Sequence, residues 1–256
     1  MDPIHEHYRA EALECGLSKQ STMRDVFVRD AELKAILGFL ARVASAFDSP
    51  ELLEVGCGNG YTAERIAEAL GLCFTAVDFS PEMLELARSR GLQGVRFDEA
   101  DLRELPYADG SFDAAFTERC LINLTSWEEQ RRGLDEIARV LRPGGLCLLI
   151  EGVADGLERL NAARSALDLP PIQVPHHNLF LQRTAFLDYV GRRFDVISAP
   201  EEENFLSSYY FGSRVLYPAL HRGKEVEYNN RFIEFFSLLP AYGEYSYVRQ
   251  FILRKH

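Results

Sequence analysis

The stretch 51-ELLEVGCGNGYTAERIAEALGLCFTAVD-78 decides the fold. It opens with an apolar strand candidate, passes through the glycine turn 56–60, and continues as an amphipathic helix that stops at Gly71. A second strand candidate follows, so the stretch is typical of a parallel βαβ unit. Glycines directly after the first strand allow a ligand to approach the backbone at the carboxyl edge of the sheet.

The same alternation continues on both sides of this stretch. Further strand candidates occupy residues 94–101, 112–117 and 146–152, and helices between them begin at Ser80-Pro81 and at the capping box of Ser126 and Glu129. The second of these helices is expected to end in the turn 142–145. Later strand candidates lie at 194–200 and 245–255. We therefore expect a doubly wound α/β fold with a mostly parallel sheet.

Two regions depart from this alternation. Residues 1–48 read as mostly helical and are expected to form a lid or flank, and residues 49–256 are expected to form the main domain. Cap segments are expected at about 153–182 and 203–244, of which the second is an insertion rich in aromatic residues before the last strand.

Composition narrows the possible partners. The formal net charge of -11 would repel a phosphate backbone and an anionic membrane surface, so we expect neither nucleic acid nor membrane as a partner. The sequence shows no leader and no long apolar span, which favours a cytoplasmic location. A monomer or homodimer is expected. His5 and His7 lie near the N-terminus without a third ligand in view, so no metal is expected.

The spacing of the turn points to an adenosyl ligand. Tyr61 stands where a dinucleotide motif would place its third glycine, and this argues against NAD or FAD. Asp78 ends the second strand and is suited to accept hydrogen bonds from ribose hydroxyls. Asp101 and Leu102 end the third strand, where they are suited to bind the amine and flank the ring of adenine.

Four motifs, LLEVGCGNG, TAVDFSPEML, EADLRELPYADGSFDAAFT and LRPGG, resemble those of the Rossmann-like (class I) S-adenosylmethionine-dependent methyltransferases over roughly residues 50–152. The resemblance implies a seven-stranded sheet with an antiparallel last strand, with S-adenosylmethionine as cofactor and S-adenosylhomocysteine as product. It also implies that the cofactor contacts Tyr8, Arg24, Glu54, Gly56, Gly58, Asp78, Phe79, Met83, Asp101, Leu102 and Glu118.

The acceptor is less well specified by the sequence. We expect an oxygen or nitrogen of a small molecule, as in natural-product or sugar biosynthesis, with His177 or His176 as a general base for a hydroxyl acceptor. Either histidine is equally consistent with a solvated loop residue. Acceptor contacts are expected from Arg119, Asn123, Glu151, Asn178, Tyr209, Tyr210 and Arg214.

Three alternatives stay open at this point. The aromatic residues of the insertion are also consistent with a simple cover for the sheet. Arg214 and Arg222 suggest an anionic acceptor but are equally consistent with surface ion pairs. The chain is also consistent with a catalytically silent protein that binds the adenosyl ligand, or with an enzyme that transfers a different group from the sulfonium.

Overall fold

The computed structural model describes residues 3–21, 23–223 and 229–256. Within these residues seven strands form one sheet in the order β3-β2-β1-β4-β5-β7-β6. The strands are β1 (Leu52–Val55), β2 (Phe74–Asp78), β3 (Val95–Glu99), β4 (Phe112–Glu118), β5 (Leu141–Gly152), β6 (Phe194–Val196) and β7 (Val248–Lys255). β7 pairs antiparallel with β5 and β6, while the pairs among β1–β5 are parallel. The predicted fold class is confirmed.

Helices cover both faces of this sheet. They are α1 (Pro3–Cys15), α2 (Val26–Ala46), α3 (Tyr61–Leu70), α4 (Pro81–Ser89), α5 (Trp127–Val140), α6 (Ala154–Ser165), α7 (Arg183–Val190), α8 (Pro200–Glu203), α9 (Ser207–Tyr210), α10 (Tyr217–Leu220) and α11 (Arg231–Ser237). A short 3-10 helix spans Leu121–Asn123, and a π-helical stretch spans Phe211–Leu216. None of the helices in the described ranges combines the length and apolar character needed to cross a bilayer.

The predicted helix starts have local causes. Ser80 Oγ accepts a hydrogen bond from Met83 N at 3.3 Å, and Pro81 follows at the first helical position of α4. Ser126 Oγ accepts from Glu129 N at 3.2 Å at the start of α5. These caps satisfy N–H groups that a helix leaves free at its first turn, so each helix begins at the residue after its capping serine.

Alternating side chains divide the sheet into two apolar faces. In β5, Leu148 and Ile150 join one cluster with α2 residues such as Phe39, whereas Cys147 and Leu149 join the other cluster on the opposite face. A period of two is expected of a strand that is covered on both sides. Polar side chains can be placed at the strand ends, because these positions do not pack against the apolar clusters.

The start of β5 differs from the expected strand start at residue 146. Phe112 pairs with Leu141, but Ala114 pairs with Leu146, so residues 142–145 form a bulge inside a longer strand. The Arg-Pro-Gly-Gly sequence accommodates this bulge because Gly144 adopts φ +78°. The helix before it still ends at Val140, as the turn predicted.

The aromatic insertion is joined to α2 through a buried polar contact. Asp25 caps α2 by accepting from Phe27 N and Val28 N, and its carboxylate also accepts from Tyr209 Oη at 2.7 Å and Arg214 Nη2 at 2.6 Å. The insertion therefore packs against the N-terminal half of the molecule. The domain boundary at residue 48 and the two cap segments stay predictions.

Candidate active site

The glycine turn after β1 forms one side of the candidate site. Gly56 adopts φ +80°, and its N–H donates to Val77 O at 2.8 Å, which fastens the turn to β2. A Cβ on Gly56 would lie 2.9 Å from Cys120 Sγ, so this approach requires glycine. At Gly58 the position of a Cβ is open space, which faces a cavity of about 170 Å³ at the strand ends.

We name this volume the strand-end cavity. It collects twelve of the residues predicted from the sequence, namely Tyr8, Gly56, Gly58, Asp78, Phe79, Asp101, Leu102, Glu118, Arg119, Asn123, His177 and Asn178. Because these residues come from α1, from the ends of β1, β2 and β4, and from two loops, the fold brings together what the sequence keeps far apart.

Asp78 holds the glycine turn in place. Its Oδ2 accepts from Gly58 N at 2.8 Å and its Oδ1 from Ser80 N at 2.9 Å. Burial raises the pKa of Asp78 although these backbone N–H groups favour the carboxylate. The carboxylate thus lies on the cavity wall with its orientation fixed by two backbone groups.

Helix α1 forms a cover of aromatic rings over Phe79. The Phe79 ring makes edge contacts with His5 at 4.7 Å and with Tyr8 at 5.5 Å between centroids. Arg9 Nε on the same helix lies 3.7 Å from Glu82 Oε1 on α4. Residues of α1 therefore form part of the wall of the strand-end cavity, and the role of the N-terminal segment as a lid stays a prediction.

Asp101 lies at the far end of the strand-end cavity. Burial acts to raise the pKa of Asp101, but hydrogen bonds and charge from Arg103 outweigh it and the pKa is lowered. Arg103 Nη2 donates to Asp101 at 2.6 Å and Arg103 Nη1 donates to Glu129 at 2.5 Å. The ionised carboxylate lies beside Leu102, which is buried.

A buried ionic cluster borders the opposite end, next to the glycine turn. Glu118 Oε1 accepts from Arg29 Nη1 at 2.6 Å and from Arg119 Nη2 at 3.0 Å, and Glu118 Oε2 accepts from Thr62 Oγ1 at 3.0 Å. Glu32 pairs with Arg119 Nε at 3.1 Å. Burial alone would raise the pKa of Glu118, but the two guanidinium groups lower it, whereas burial raises the pKa of Glu32.

Glu54 lies in a small pocket between the glycine turn and this cluster. The pocket, which we name the glycine-turn pocket, is also lined by Arg29, Thr62 and Glu118. Glu54 Oε2 is buried and accepts no hydrogen bond from the described residues. Burial, followed by the nearby carboxylates, raises the pKa of Glu54 to about 8. A buried acceptor without a donor is suited to receive a cationic ligand group.

A second large cavity, of about 320 Å³, opens beside the strand-end cavity. We name it the side cavity; α1, the loop 172–180 and the start of β7 line it. It shares His7, Arg119, Ile122, His177 and Asn178 with the strand-end cavity. The two volumes therefore meet at these side chains.

Arg119 lies where all three cavities meet. It lines each of them and adopts φ +54°, a left-handed conformation that is uncommon outside glycine. Its N–H donates to Ile150 O at 2.7 Å, and its carbonyl accepts from Asn123 Nδ2 at 2.9 Å. Asn123 Oδ1 in turn accepts from Asn178 Nδ2 at 2.9 Å, which connects the loop 172–180 to the end of β4. Such strain at a site wall is typical of functional positions.

The structure corrects several predicted cofactor contacts. Met83 is fully buried on the apolar side of α4, and it does not line the strand-end cavity. Arg24 lines the side cavity instead. Its side chain is exposed, and its Nη2 lies 3.8 Å from Glu14 Oε1. His176 is exposed and touches the site only through the edge of the His177 ring at 5.2 Å.

The predicted acceptor contacts are also corrected in part. Glu151 is buried, and its carboxylate accepts from Thr117 Oγ1 and from the N–H groups of residues 120–122, so it holds the turn after β4 rather than a ligand. Tyr209 and Arg214 bind Asp25 in the interior, and Tyr210 packs on Tyr247 at 4.4 Å. Aromatic density in the insertion reflects burial at these positions.

Sequence reasoning missed Arg29, Glu32 and His7. Arg29 and Glu32 fall within the buried stripe of α2, beside Val28 and Ile36. Charged residues in an otherwise apolar helical stripe are a signal that the hydrophobic period could have revealed. No comparable local signal marks His7.

Comparison with known proteins bears on the same segment. A family model described as a methyltransferase domain matches residues 52–145, which include the glycine turn, Asp78, Asp101 and Glu118. The chain carries a class I S-adenosylmethionine-dependent methyltransferase domain. The resemblance stated from the motifs is confirmed, and S-adenosylmethionine is the cofactor of this domain.

Two curated relatives of this methyltransferase domain are informative. Demethylmenaquinone methyltransferase of Clavibacter sepedonicus is 38 % identical over 112 residues, which are 43 % of this chain and 44 % of that protein. The 27-O-demethylrifamycin SV methyltransferase of Amycolatopsis mediterranei is 38 % identical over 99 residues, 37 % of this chain and 35 % of that protein. The chain thus spans less than half the length of these relatives.

A solved structure shares the fold over a longer stretch. The [4+2]-cyclase SpnF aligns with a TM-score of 0.52 and 22 % identity, covering 81 % of this chain and 75 % of that chain. This likeness extends the shared fold beyond the methyltransferase domain match.

The residues around the strand-end cavity fit the cofactor of the methyltransferase domain. Asp78 offers a fixed carboxylate for ribose hydroxyls, and Asp101 and Leu102 offer a carboxylate and an apolar face for adenine. The unsatisfied Glu54 oxygen suits the ammonium of the methionine part, and Arg29 suits its carboxylate. Within the described residues no group of three or more His, Cys, Asp or Glu is placed to hold a metal ion.

Proposed function

We propose that the protein transfers a methyl group from S-adenosylmethionine to an oxygen or nitrogen of a small-molecule acceptor held in the side cavity. The observation that carries this proposal is the contact between two cavities: the strand-end cavity, whose walls suit the cofactor, adjoins the side cavity at His7, Arg119 and His177, which line both. Methyl transfer needs two ligands that meet end to end with water excluded.

The bound cofactor supplies a methyl carbon activated by a sulfonium, so the chain mainly has to align the acceptor and manage its proton. We assign His177 as the base that accepts the proton of the acceptor. It lines both cavities, and its Nδ1 is buried without a hydrogen-bond partner among the described residues. Burial, followed by the neighbouring His7 and His176, lowers the pKa of His177, so the ring is neutral near pH 7 and ready to accept a proton.

A base at this junction favours a hydroxyl acceptor, whose proton must be taken up, over a neutral amine, which is nucleophilic without losing a proton first. The relative from Amycolatopsis mediterranei, whose name describes an O-methyltransferase, supports the same choice. Action in the cytoplasm as a monomer or homodimer, in natural-product or sugar biosynthesis, stays a prediction. The expectation that nucleic acid is not a partner is supported by the net charge of -11.

The test is a turnover assay with S-adenosylmethionine labelled in the methyl group and a panel of hydroxylated and amine acceptors. We expect labelled product and S-adenosylhomocysteine in equal amounts, both identified by mass. Tight binding of S-adenosylmethionine by calorimetry, without S-adenosylhomocysteine from any acceptor, would instead indicate a silent binding protein. Release of methylthioadenosine would indicate transfer of the aminocarboxypropyl chain of the cofactor instead of its methyl group.

A further inference from the structure

Three aromatic rings form a stack beside the side cavity. Tyr247 lies between Tyr210, at 4.4 Å and 24° between planes, and Phe180, at 5.8 Å and 16°. Tyr210 is fully buried, whereas Phe180 and Tyr247 line the side cavity. The stack is therefore anchored in the interior at Tyr210 and ends at Phe180.

The position of Phe180 is fixed by Gly152 at the end of β5. A Cβ at residue 152 would lie 2.6 Å from Phe180 Cε1, so the ring occupies the space that any other side chain would need. Leu181 N, next in the chain, donates to Gly152 O at 2.9 Å and holds the loop against the strand. The ring is thus placed by the backbone rather than by flexible neighbours.

The rest of the side cavity has both apolar and polar walls. Its apolar side chains are Met23, Ile122, Leu157, Ile172 and Val248, and its polar ones include Gln20 and Gln173. Its size, at the lower end of the range for small-molecule sites, leaves room for a molecule of roughly one or two rings.

The arginines around the side cavity have acidic partners within the protein. Arg119 pairs with Glu32 and Glu118, and Arg24 lies near Glu14, while the carboxylate of Glu11 adds negative charge to the cavity wall. The arginines that suggested an anionic acceptor are engaged elsewhere. Arg214 binds Asp25, and Arg222 Nη2 donates to Leu167 O. A neutral ligand fits this surface better than a phosphorylated or carboxylated one.

We propose that the side cavity binds a neutral, planar, hydroxylated aromatic acceptor whose ring packs against the Phe180 end of the stack and whose hydroxyl points toward His177. The identification of this ligand as the acceptor rests on the proposed function. An aromatic ring gains from an aromatic partner beyond the area it buries, and a saturated ring of equal size does not.

The test compares two probes, 2-naphthol and its saturated analogue decahydro-2-naphthol, by calorimetry on the full chain saturated with S-adenosylhomocysteine. We expect 2-naphthol to bind more tightly than the saturated analogue. The variant Phe180→Leu should weaken 2-naphthol about three- to tenfold and leave decahydro-2-naphthol within about twofold. Gly152→Ala, which pushes the ring from its position, should weaken 2-naphthol likewise.

The matched control is Phe235→Leu, the same substitution at a ring that is 57 % exposed on α11 in the aromatic insertion. It should change neither probe, and all three variants should keep their affinity for S-adenosylhomocysteine. Equal affinity for both probes, or unchanged 2-naphthol binding in Phe180→Leu, would overturn the proposal.

Binding and turnover separate the two hypotheses. If 2-naphthol binds in a Phe180-dependent way but no acceptor is methylated, the proposed function fails and the aromatic site stands. If aliphatic alcohols are methylated as fast as phenols, and Phe180→Leu changes both rates by the same factor, methyl transfer stands and the aromatic site fails.

Discussion

The imidazole rings of His7 and His177 are stacked, with centroids 4.0 Å apart and planes 24° apart. One ring comes from helix α1 and the other from the loop 172–180, and both line the strand-end cavity and the side cavity. Part of the wall that the two cavities share is therefore built from two residues 170 positions apart in the sequence. It exists only when α1 is docked.

Replacing His177 by Asn should lower kcat on the order of a hundredfold with a hydroxyl acceptor, because the proton acceptor is lost. In the parent protein the acidic limb of kcat/KM should lie below the ordinary histidine pKa of about 6.5, since burial and the two neighbouring histidines lower the pKa of His177. The variant should lose this limb. Rates measured from pH 5 to 8 test both points, with His176→Asn as the neighbouring control. An equal loss in the control would contradict the assignment.

Replacing Asp78 by Ala should weaken binding of S-adenosylhomocysteine by roughly one to two decades. The variant loses charge-assisted hydrogen bonds worth about 1.5 to 3 kcal/mol, and Gly58 N and Ser80 N lose their acceptor. Titration calorimetry measures the change. Asp98→Ala is the control, because Asp98 bonds Tyr107 outside the cavity and should leave the affinity intact. Unchanged affinity in Asp78→Ala would remove Asp78 from the cofactor site.

Replacing Arg29 by Met should reduce the free energy of unfolding by about 3 to 5 kcal/mol, because it removes one partner of a buried ion pair with Glu118. Arg42 provides the control on the same helix: its pair with Glu202 is largely exposed, and Arg42→Met should cost less than about 1 kcal/mol. Urea unfolding of the ligand-free proteins gives both values. Similar costs for the two variants would show that the buried cluster does not stabilise the fold.

Glu54 should make the ligand-free protein less stable as pH rises. Its pKa is raised to about 8 by burial and nearby carboxylates, whereas an unfolded glutamate titrates at about 4.3. Between these values the native state keeps the proton and the unfolded state releases it. This contribution to the free energy of unfolding is therefore fully present below about pH 4.3. It falls as the pH rises from about 4.3 to about 8, by no more than ~1.4 kcal/mol per pH unit.

The Glu54→Gln variant isolates this effect. Urea unfolding at pH 5 to 8 should show a smaller loss of stability with rising pH than in the parent protein. Glu51→Gln, at an exposed position just before β1, should keep the parent slope. Parallel slopes for the parent and Glu54→Gln would mean that Glu54 is already ionised in the native state.

The cofactor half of the site was predictable because its signals are local. Gly56 and Asp101 follow β1 and β3 closely and Asp78 ends β2, and the carboxyl ends of parallel strands meet at one edge of the sheet. The same rule suggested Glu151 as an acceptor contact. In the structure the Glu151 carboxylate already accepts hydrogen bonds from the N–H groups of the turn after β4. The sequence alone does not indicate these hydrogen bonds.

The acceptor half could not be predicted in the same way. His7, Ile122, Phe180 and Tyr247 belong to four separate segments, and no spacing in the sequence connects them. Tyr209 and Arg214 looked suited to a ligand, but the acid that satisfies both is Asp25, far away in the chain. A high content of aromatic residues indicates that a segment is buried, but it does not indicate which part of the protein or which ligand packs against it.

The walls of the side cavity come mostly from chain outside residues 52–145, with Arg119 and Ile122 as the exceptions among its lining residues. On the proposed function, substitutions in α1, the loop 172–180 and the start of β7 would change the acceptor while the glycine turn and its carboxylates stay intact. Similarity confined to residues 52–145 therefore does not specify the molecule that fills the side cavity. Grafting those three segments from one homologue to another is the direct route to redirecting the chemistry.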